Sequence, residues 1–457
     1  MREIKIPEKV EYIIQCLEDH GYEAYIVGGC VRDSILGREP GDWDITTSAR
    51  PEQVKDIFRR TVDTGIAHGT VTVMLDKDGF EVTTYRIDGA YEDSRHPSSV
   101  SFTRNLTDDL ARRDFTINAM AYHPDRGIVD AFGGMADLKA RCIRCVGSAT
   151  ERFTEDALRI LRAVRFAAQL DFDIDPDTAG AIREKAPLLK NISAERIQTE
   201  LVKLLTSPCP EKIHTAWQLG ITEVILPEYD AIVGVPQNTP NHIYTVDVHT
   251  LKALAFAAPT PILRLTMLMH DFGKPAVRKT DQGRDIFYRH PEVSARLAED
   301  ILKRLKFDNH TKDTVVRLVK WHGLKYNAEP VDVRRALNRV GADIFDLFIQ
   351  VQRADILAKS PDVIERKLEL LYAKEKLYHE IIDAGQCFCV KMLAVNGNDL
   401  IAAGITPGPL LGAVLERLVE RVIDAPELNE KASLIALALK EKDSPDIFAE
   451  KEYFFSK

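Results

Sequence analysis

The segment Tyr25-Ile-Val-Gly-Gly-Cys-Val-Arg-Asp33, followed by Gly41-Asp-Trp-Asp-Ile-Thr-Thr47, decides how the amino-terminal part of the chain folds. An apolar β-like run ends in a Gly-Gly turn, a helix follows, and the second segment returns as a strand. Residues i and i+2 of a strand point to one face, so Asp42 and Asp44 can share a face while Trp43 points the other way. Two neighbouring carboxylates suit hard divalent cations, which take oxygen ligands.

The turn at Gly28-Gly29 has the properties of an anion site. Glycines leave backbone N–H groups exposed with no Cβ in the way. The helix that begins there carries Arg32, and a helix start adds anion affinity. We therefore predict a metal-dependent phosphoryl-transfer site, with Asp42 and Asp44 on the metal and the turn on a triphosphate. The alternative is a tight turn followed by a solvated acidic strand end.

Composition sets the limits within which this site must work. The 457 residues are enough for about three domains, and an apolar content of 45% with 29% charged residues is ordinary for a soluble protein. A net charge of −9 argues against a protein that coats nucleic acid through its overall charge. Two prolines and an arginine interrupt the apolar stretch Ala253–Met269, so no membrane span is expected. Seven cysteines without a signal-peptide pattern indicate reduced thiols and a cytoplasmic protein.

The pattern of the chain changes near residue 150. Before that point, short β-like runs alternate with turns and with a helical stretch at Pro51–Arg60. The predicted strands are Ala24–Val27, Trp43–Thr46, Thr70–Leu75, Phe80–Arg86 and Val100–Thr103. After residue 150 almost every segment has helical periodicity. The predicted fold class is therefore α+β, with a small mixed sheet followed by an all-α remainder.

A predicted helix at Glu155–Leu170 separates an apolar face from a charged one. The charged face carries Asp156, Arg159, Arg162 and Arg165. Cytosine and adenine offer an amino donor beside a ring-nitrogen acceptor, whereas uracil and guanine offer the opposite order. An ionised Asp only accepts and an Arg only donates, so Asp156 beside Arg159 would satisfy C or A and reject U or G. The alternative, favoured from spacing alone, is an i,i+3 surface ion pair.

Several ordered motifs closely resemble the bacterial CCA tRNA nucleotidyltransferases, which belong to the poly(A)-polymerase-like class II branch of the polymerase-β superfamily. The motifs are Val27–Asp33, Gly41–Asp44, Arg112–Met120, Arg152–Phe166 and Leu393–Leu400. The resemblance implies a polymerase-β-like head and template-independent addition of CCA, or of the terminal A, to tRNA 3′ ends. It implies tRNA, CTP and ATP as partners, with no DNA and no membrane. The nearest alternative is a poly(A) polymerase of the same superfamily.

The resemblance also implies roles for individual residues. Asp42 and Asp44 would bind Mg²⁺, which orients the incoming triphosphate and activates the tRNA 3′ hydroxyl. Strand geometry adds Glu81 as a candidate third carboxylate of the catalytic set. Residues implied to bind the nucleotide are Gly28, Gly29 and Arg32 on the triphosphate, Arg113 and Asp114 on ribose and phosphate, Asp156 and Arg159 as an amino-acid template for C and A, and Arg162 and Arg165 behind them. For the two outer arginines the alternative is a solvated helix face.

The segment Arg86–Pro97 has the Gly, Pro and polar content of a mobile loop. It resembles the flexible loop of family members that add the terminal A, and members restricted to C addition lack that loop. We therefore expect CCA addition or A addition, and not an enzyme that adds only C residues.

A second set of residues resembles the ligands of HD-domain metal phosphohydrolases. These are His249, His270, Asp271 and Asp355, in that order along the chain. Imidazole with carboxylate suits Mn, Ni, Fe or Zn better than Mg. His290 and His322 lie in the same region and would widen the site or hold a second ion. The resemblance implies an HD fold and, if the module is active, a phosphatase or cyclic phosphodiesterase acting on damaged RNA ends. The alternative is an inactive scaffold.

Together these features predict four regions: a nucleotidyltransferase head at residues 1–150, a helical neck at 151–235, an HD-type domain at 236–365 and a tRNA-binding tail at 366–457. Candidate RNA contacts are the basic stretches Lys303–Lys306, Arg334–Arg339 and Arg366-Lys367, with an ordinary charged helix surface as the alternative. An alternative from another class of enzyme is an HD phosphohydrolase whose head only grips RNA.

Overall fold

The computed structural model describes residues 4–89, 100–239, 243–444 and 447–448. The chain divides into two compact units, Met1–Asp230 and Ala231–Lys457. The finer division into four regions remains a prediction. Among the described residues, no helix combines the length and the apolar character needed to cross a membrane.

The first unit is built on a seven-stranded mixed sheet, as the sequence predicts. Its strands in spatial order are β3-β4-β5-β2-β1-β8-β9, with β2 and β5 parallel and the other neighbours antiparallel. The strands of the unit are β1 (Ala24–Val27), β2 (Ile45–Thr47), β3 (Thr61–Gly65), β4 (Thr70–Leu75), β5 (Asp78–Thr84), β6 (Arg86–Asp88), β7 (Val100–Phe102), β8 (Ala121–His123), β9 (Gly127–Val129), β10 (Cys142–Ile143) and β11 (Asp173–Ile174). Every residue of β1 and β2 is buried, which is expected of central strands covered on both faces.

The helices of this unit pack on the sheet and continue beyond it. They are α1 (Glu8–Asp19), α2 (Gly29–Ile35), α3 (Pro51–Ile57), α4 (Leu106–Ala111), α5 (Gly134–Ala140), α6 (Ala149–Glu155), α7 (Leu158–Leu170), α8 (Pro176–Lys185), α9 (Ala194–Leu205), α10 (Ile213–Gln218), α11 (Thr222–Ile225) and α12 (Pro227–Asp230). In α1 the buried residues are Val10, Ile13, Ile14 and Leu17, the i, i+3, i+4, i+7 spacing of an amphipathic helix. α7 buries Ile160, Leu161 and Val164, the predicted apolar face.

Two predicted elements begin later than expected. The strand predicted at Trp43–Thr46 begins at Ile45, so Asp42 and Asp44 precede β2, although the Val27 N–H still donates to the Asp44 carbonyl at 3.0 Å. The single helix predicted at Glu155–Leu170 is wrong at its start. α6 ends at Glu155 and α7 begins at Leu158. The break follows from Asp156, whose side chain accepts the Leu158 N–H at 3.0 Å while its backbone is extended.

The second unit is largely helical, with one small β-hairpin. Its elements are α13 (Val246–Phe256), α14 (Pro261–Met269), α15 (Lys274–Val277), β12 (Lys279–Asp281), β13 (Arg284–Ile286), α16 (His290–Arg304), α17 (Asn309–Trp321), α18 (Pro330–Val340), α19 (Phe345–Leu357), α20 (Pro361–Asp383), α21 (Gly397–Ala402), α22 (Pro409–Asp424) and α23 (Lys431–Glu441). Rings of Phe345, Phe348 and Tyr378 pack between α19 and α20. A separate apolar cluster, which includes Leu400, Leu418 and Leu434, fills the carboxy-terminal part of this unit.

Candidate functional site

Three predicted carboxylates lie together at the interior strands β2 and β5 of the sheet in the first unit. The parallel register that pairs Ile45 with Val82 brings the preceding residues, Asp44 and Glu81, level with each other. Burial, together with the charges of Asp42 and Glu81, raises the pKa of the Asp44 carboxyl to about 6 against the opposing charge of Arg113. Crowded carboxylates of this kind repel each other, and a hard divalent cation with oxygen ligands relieves that repulsion. The donor set therefore fits such a cation.

Gly28 lets the chain pass close to these carboxylates. Its φ of +86° lies in the region that favours glycine. A Cβ at this position would lie 3.0 Å from Arg113 Nη1 and 4.0 Å from Asp44 Oδ2. The turn, the arginine and the carboxylate are thus neighbours. Gly29, the residue after Gly28, occupies the first position of α2.

A buried polar chain connects α2 with α7, the two helices predicted to bind the nucleotide. Arg32 Nη1 donates to Asn118 Oδ1 at 2.7 Å, and Asn118 Nδ2 donates to Asp114 Oδ1 at 3.1 Å. Arg162 donates through Nε and Nη2 to Asp114 Oδ2 at 2.8 and 2.6 Å. Arg32 also pairs with Asp33. The sequence motif Arg112–Met120 contains Asn118, but its linking position was not predicted.

Asp114 lies inside this chain and not on an open surface. Only 6% of the residue is exposed, and both carboxylate oxygens accept hydrogen bonds within the protein. Burial alone would raise the pKa of Asp114, but the charge of Arg162 and the hydrogen bond from Asn118 outweigh it and lower the pKa to about 2. Asp114 is therefore ionised at neutral pH and orients Arg162. Its predicted contact with ribose or phosphate stays a prediction.

Arg113 is held by Asp109, a buried residue that the sequence did not single out. The distance from Arg113 Nη2 to Asp109 Oδ2 is 3.5 Å. Asp109 also accepts two hydrogen bonds from Arg112 and one from the Thr46 hydroxyl. Burial opposes the ionised form of Asp109, but the two arginines lower its pKa below the ordinary value. No sequence signal distinguishes this aspartate from the neighbouring Asp108.

Asp156 and Arg159 do not form the i,i+3 ion pair that the alternative interpretation requires. Asp156 Oδ2 lies 2.9 Å from Arg196 Nη2 on α9. Arg159 Nη1 lies 2.7 Å from Glu155 Oε2, and Arg159 Nη2 donates to the Arg112 carbonyl at 3.1 Å. Each residue is thus held by its own partners where α6 ends and α7 begins. Their use as the acceptor and the donor that select a base stays a prediction.

The two outer arginines of α7 are not on a solvated face. Arg162 is bound to Asp114, and Arg165 Nε lies 2.6 Å from Glu200 Oε2 on α9. The Arg165 guanidinium lies 4.0 Å from the centre of the Phe166 ring. Burial lowers the pKa of Arg165 to about 10, so it remains protonated at neutral pH. α9 thus supports α7 through an arginine and a glutamate one turn apart, a relation that no sequence signal indicated.

The loop predicted to decide whether A is added falls mainly outside the described residues, which omit 90–99. Its first residues, Arg86–Asp88, form the strand β6 and not a loop, and β6 pairs antiparallel with β7 through Arg86 opposite Phe102.

Six side chains come together in the second unit as two groups of metal-ligand type. They are His249, His270, Asp271, His290, His322 and Asp355. All four predicted HD ligands are among them, and so are the two histidines predicted to widen the site. One group holds His249, His270 and Asp355, and within it the ligand atoms lie within 4.8 Å of one another. The other group, equally close, holds Asp271, His290 and His322.

Asp271 lies between the two groups. Its Oδ2 is 3.1 Å from His270 Nε2 and 3.7 Å from His249 Nε2. Its Oδ1 is 3.4 Å from His290 Nε2. The Nε2 atoms of His249 and His270 are 3.3 Å apart, and those of His290 and His322 are 3.2 Å apart. One carboxylate therefore faces two pairs of imidazoles, the arrangement of a bridging ligand between two cations.

Backbone carbonyls fix the orientation of all four imidazoles. Nδ1 of His270, His290 and His322 lies 2.7–2.8 Å from the carbonyl oxygen three residues earlier, and His249 Nδ1 lies 3.2 Å from the Ala358 carbonyl. A carbonyl only accepts, so each Nδ1 donates to its carbonyl and each Nε2 faces the centre. Four imidazole nitrogens directed at one region beside carboxylates fit a transition-metal cation.

The charge state of this centre follows from its burial. Burial, together with the charges of His270 and His290, lowers the pKa of His322 to about 3. Burial alone would raise the pKa of Asp271, but the charges of His270 and Lys274 hold it well below the ordinary value. At neutral pH this gives an ionised carboxylate beside a neutral imidazole, the forms in which both residues bind metals.

The predicted RNA-contact stretches divide into interior and surface residues. Arg334 is buried and donates to the Ile423 carbonyl and to Gln386 Oε1, so its role is structural. Lys303 is exposed and pairs with Glu299 along its own helix. RNA contact by the exposed members stays a prediction.

Three family models match the chain. The model described as the Poly A polymerase head domain matches residues 24–144, which include the carboxylates and the Gly-Gly turn. The model described as "Probable RNA and SrmB-binding site of polymerase A" matches residues 171–233, which include α9. The model described as "tRNA nucleotidyltransferase domain 2 putative" matches residues 286–438.

Curated relatives and solved structures agree with these matches. The chain is 39% identical to the CCA-adding enzyme of Levilactobacillus brevis over 438 residues, which span 94% of this chain and 98% of that enzyme. It is 36% identical to the CCA-adding enzyme of Lactiplantibacillus plantarum, across 94% and 96% of the two chains. It also resembles the crystal structure of the Bacillus stearothermophilus CCA-adding enzyme in complex with CTP, with a TM-score of 0.70, 31% identity, and coverage of 95% and 96%.

Proposed function

The chain belongs to the family of CCA-adding enzymes, and from this membership we propose that it adds C, C and A to the 3′ end of tRNA from CTP and ATP without a template. One observation carries the proposal: Asp42, Asp44 and Glu81 meet beside the turn at Gly28 and Arg113. All seven cysteines are free thiols, which supports the reducing cytoplasm as the compartment.

The carboxylates are proposed to hold Mg²⁺. When bound, the ion would orient the triphosphate and make the tRNA 3′ hydroxyl more acidic. Asp42 and Asp44 supply oxygen ligands, and Glu81 adds a third negative charge beside them. The guanidinium of Arg113 next to Gly28 offers N–H donors to phosphate oxygens, and the missing Cβ lets those oxygens approach the backbone.

Base choice is proposed to rest on Asp156 and Arg159. The Asp156 carboxylate accepts from an amino group, and the Arg159 guanidinium donates to a ring nitrogen. Arg196 and Glu155 hold these two side chains in place without using their full hydrogen-bonding capacity. C and A satisfy this pair, whereas U and G would leave buried groups unpaired.

The test is incubation of the protein with tRNA that lacks its three terminal nucleotides, supplying CTP and ATP separately and together. We expect additions that stop after CCA when both nucleotides are present. The double change Asp42→Ala and Asp44→Ala should reduce addition at least about a thousandfold, because the developing charge loses its metal. Asp177→Ala, an exposed aspartate of the same unit, is the matched control and should leave addition unchanged.

Two outcomes would overturn the proposal. A product ladder that continues with ATP alone would identify a poly(A) polymerase. Full activity of the Asp42→Ala, Asp44→Ala double variant would remove the proposed metal ligands from the reaction.

A second function is proposed for the centre in the other unit, where six side chains of metal-ligand type converge. We propose an HD-type metal phosphohydrolase that uses Mn, Ni, Fe or Zn. The test is release of phosphate, or opening of the ring, from a 2′,3′-cyclic nucleotide, with and without a chelator. Activity that disappears with the chelator and returns with Mn²⁺ is expected. No hydrolysis of any phosphate ester or anhydride across these four metals would contradict the second function.

A further inference from the structure

Three arginines surround one phenylalanine ring in the first unit. The guanidinium carbons of Arg32, Arg162 and Arg165 lie 5.1, 5.4 and 4.0 Å from the centre of the Phe166 ring. Arg32 is on α2 and the other two are on α7, so the ring joins the two helices that are predicted to bind the nucleotide. Cation–π contacts of significant energy occur roughly once per 70–80 residues in proteins. Three of them on one ring therefore indicate a specific arrangement.

The ring is buried and held in a fixed orientation. Phe166 is 5% exposed, and the fully buried Phe115 packs against it edge to face, with ring centres 5.8 Å apart and an interplanar angle of 80°. Phe115 directly follows Asp114, the carboxylate that binds Arg162. Cation–π attraction is larger at sites without water than at exposed ones. The contacts of this ring with the arginines are therefore of the stronger kind.

The ring offsets the repulsion between arginines that lie close together. Burial, with the charges of Arg162 and Arg32, lowers the pKa of Arg165 to about 10, and the charge of Glu200 opposes this shift. The face of an aromatic ring is the negative part of its quadrupole, so it attracts guanidinium groups. Unlike a carboxylate, the ring adds no negative charge that would repel a phosphate.

N–H donors remain on Arg32 and Arg162. A guanidinium has five of them. Arg162 donates through Nε and Nη2 to Asp114, and 34% of its side chain is exposed. Arg32 makes three hydrogen bonds within the protein, and a Cβ at Gly29 would lie 3.6 Å from its Nη2. Both guanidiniums therefore keep N–H groups for phosphate oxygens, and that of Arg32 lies at the glycine turn.

We propose that Phe166 is a positioning residue for the incoming nucleotide, whose ring gathers Arg32 and Arg162 into a site for the triphosphate of CTP or ATP. The inference rests on the nucleotide addition proposed above. Phe166 acts through the two arginines and does not touch the nucleotide. Because the triphosphate is common to both nucleotides, the ring should affect CTP and ATP equally and leave the choice of base to Asp156 and Arg159.

The alternative is that Phe166 only fills apolar space. A side chain with that role can be replaced by another of similar volume at little cost. Attraction to cations depends instead on the electron density of the ring. Fluorine atoms on the ring withdraw that density and change its shape very little. Phenylalanines that carry one, two or three ring fluorines at position 166 therefore separate the two roles.

The experiment measures nucleotide addition by the full chain with each of these side chains at position 166. We expect KM for CTP and for ATP to rise with each added fluorine, to about tenfold with three, while kcat changes less. Phe166→Leu keeps apolar bulk without a π face and should raise both KM values at least as much. The matched control places the same fluorinated residues at position 153. Phe153 is fully buried in the same unit and has no cation over its ring among the described residues, so neither constant should change.

Binding of inorganic tripolyphosphate, measured by calorimetry, gives a readout that does not depend on catalysis. Affinity should fall about tenfold from phenylalanine to trifluorophenylalanine at position 166 and stay constant at position 153. KM values and affinities that do not respond to the fluorines at position 166 overturn the inference and leave nucleotide addition standing. A rise in KM for only one of the two nucleotides also overturns it. If the unmodified protein adds no nucleotide but its tripolyphosphate affinity follows the fluorines, the proposed function fails and the arginine site stands.

Discussion

At the scale of single residues, Gly28 tests the geometry of the nucleotide site. Gly28→Ala places a Cβ 3.0 Å from Arg113 Nη1 on a backbone with φ of +86°. We expect at least about tenfold less nucleotide addition per folded molecule, because Arg113 must move, and about 1 kcal/mol or more of lost stability. Gly37→Ala is the matched control, since its φ of +73° is also positive but nothing lies near the added Cβ. Equal activity of the two variants would contradict the assignment.

Asp114 gives a prediction that depends on pH. Its pKa is lowered from 3.8 to about 2, so its contribution to stability is complete above the ordinary value and is lost as the pH falls through 2. The shift corresponds to about 2 kcal/mol. Asp114→Asn should lower the free energy of unfolding by at least about 2 kcal/mol at pH 7, and this deficit should narrow by about half at pH 3. Urea titrations of both proteins measure it, and a deficit independent of pH would be inconsistent with a buried ionised Asp114.

His322 tests whether the second unit holds two cations or one. Removing its imidazole leaves Asp271 and His290 as the only two members of their group. Bound manganese should fall from about two ions per chain to about one in the His322→Ala protein. His310→Ala changes an exposed histidine of α17, the helix that ends just before His322, and should keep both ions. Elemental analysis after dialysis gives the count, and unchanged content in the His322→Ala protein would argue against a bridged pair.

Most of the predicted site residues lie in short, ordered motifs, and the sequence singled them out for that reason. Asp42 and Asp44 were predicted from a strand spacing, although in the structure both precede β2. Asn118 and Asp109 could not be predicted from spacing, because their importance lies in contacts between residues distant in the chain.

At the scale of elements, α9 acts as the support of α7. Arg196 on α9 holds the Asp156 carboxylate at 2.9 Å. Arg196→Gln should increase UTP incorporation relative to CTP by about tenfold, because an Asp156 free to rotate discriminates less. Arg183→Gln on α8 is the control, an exposed arginine that should leave discrimination unchanged. Competition assays with both nucleotides measure the ratio, and unchanged discrimination in the Arg196→Gln protein would count against Asp156 as a template residue.

Local sequence patterns were sufficient to predict the bounds of some strands but not the break between α6 and α7. The strands Ala24–Val27 and Thr70–Leu75 were predicted with their observed bounds, since apolar β-branched runs bounded by turns leave little choice. The break between α6 and α7 was missed because helical periodicity continues across it. The Asp156 side chain accepts a hydrogen bond from the Leu158 N–H, and this bond separates α6 from α7. Helical periodicity of apolar residues carries no signal of such a local hydrogen bond.

At the scale of the whole molecule, the two compact units hold one candidate site each. His249→Ala should abolish hydrolysis of phosphate compounds and leave CCA addition intact. The Asp42→Ala, Asp44→Ala double variant should do the reverse. Measuring both activities on each purified protein tests this separation. Loss of both activities in either protein, while it remains folded by circular dichroism, would contradict independent sites.

The division of the molecule illustrates what a sequence reveals about domains. The change from strands to helices near residue 150 is clear in the sequence, yet the first unit extends to Asp230. α7 and α9 belong to it because Arg162 and Arg165 of α7 bond to Asp114 and Glu200 inside the same unit. A change of secondary structure therefore marks a change of element type and not the limit of a packed core.

The central claim is that Asp42 and Asp44 together hold a divalent cation against a bound nucleotide. Crystals grown with Mn²⁺ and CTP test it most directly, through the anomalous scattering of manganese. We predict a manganese peak coordinated by oxygens of both aspartates and by the triphosphate, with Glu81 alongside. A fully occupied CTP whose phosphates carry no manganese, or carry it away from both aspartates, would contradict the claim.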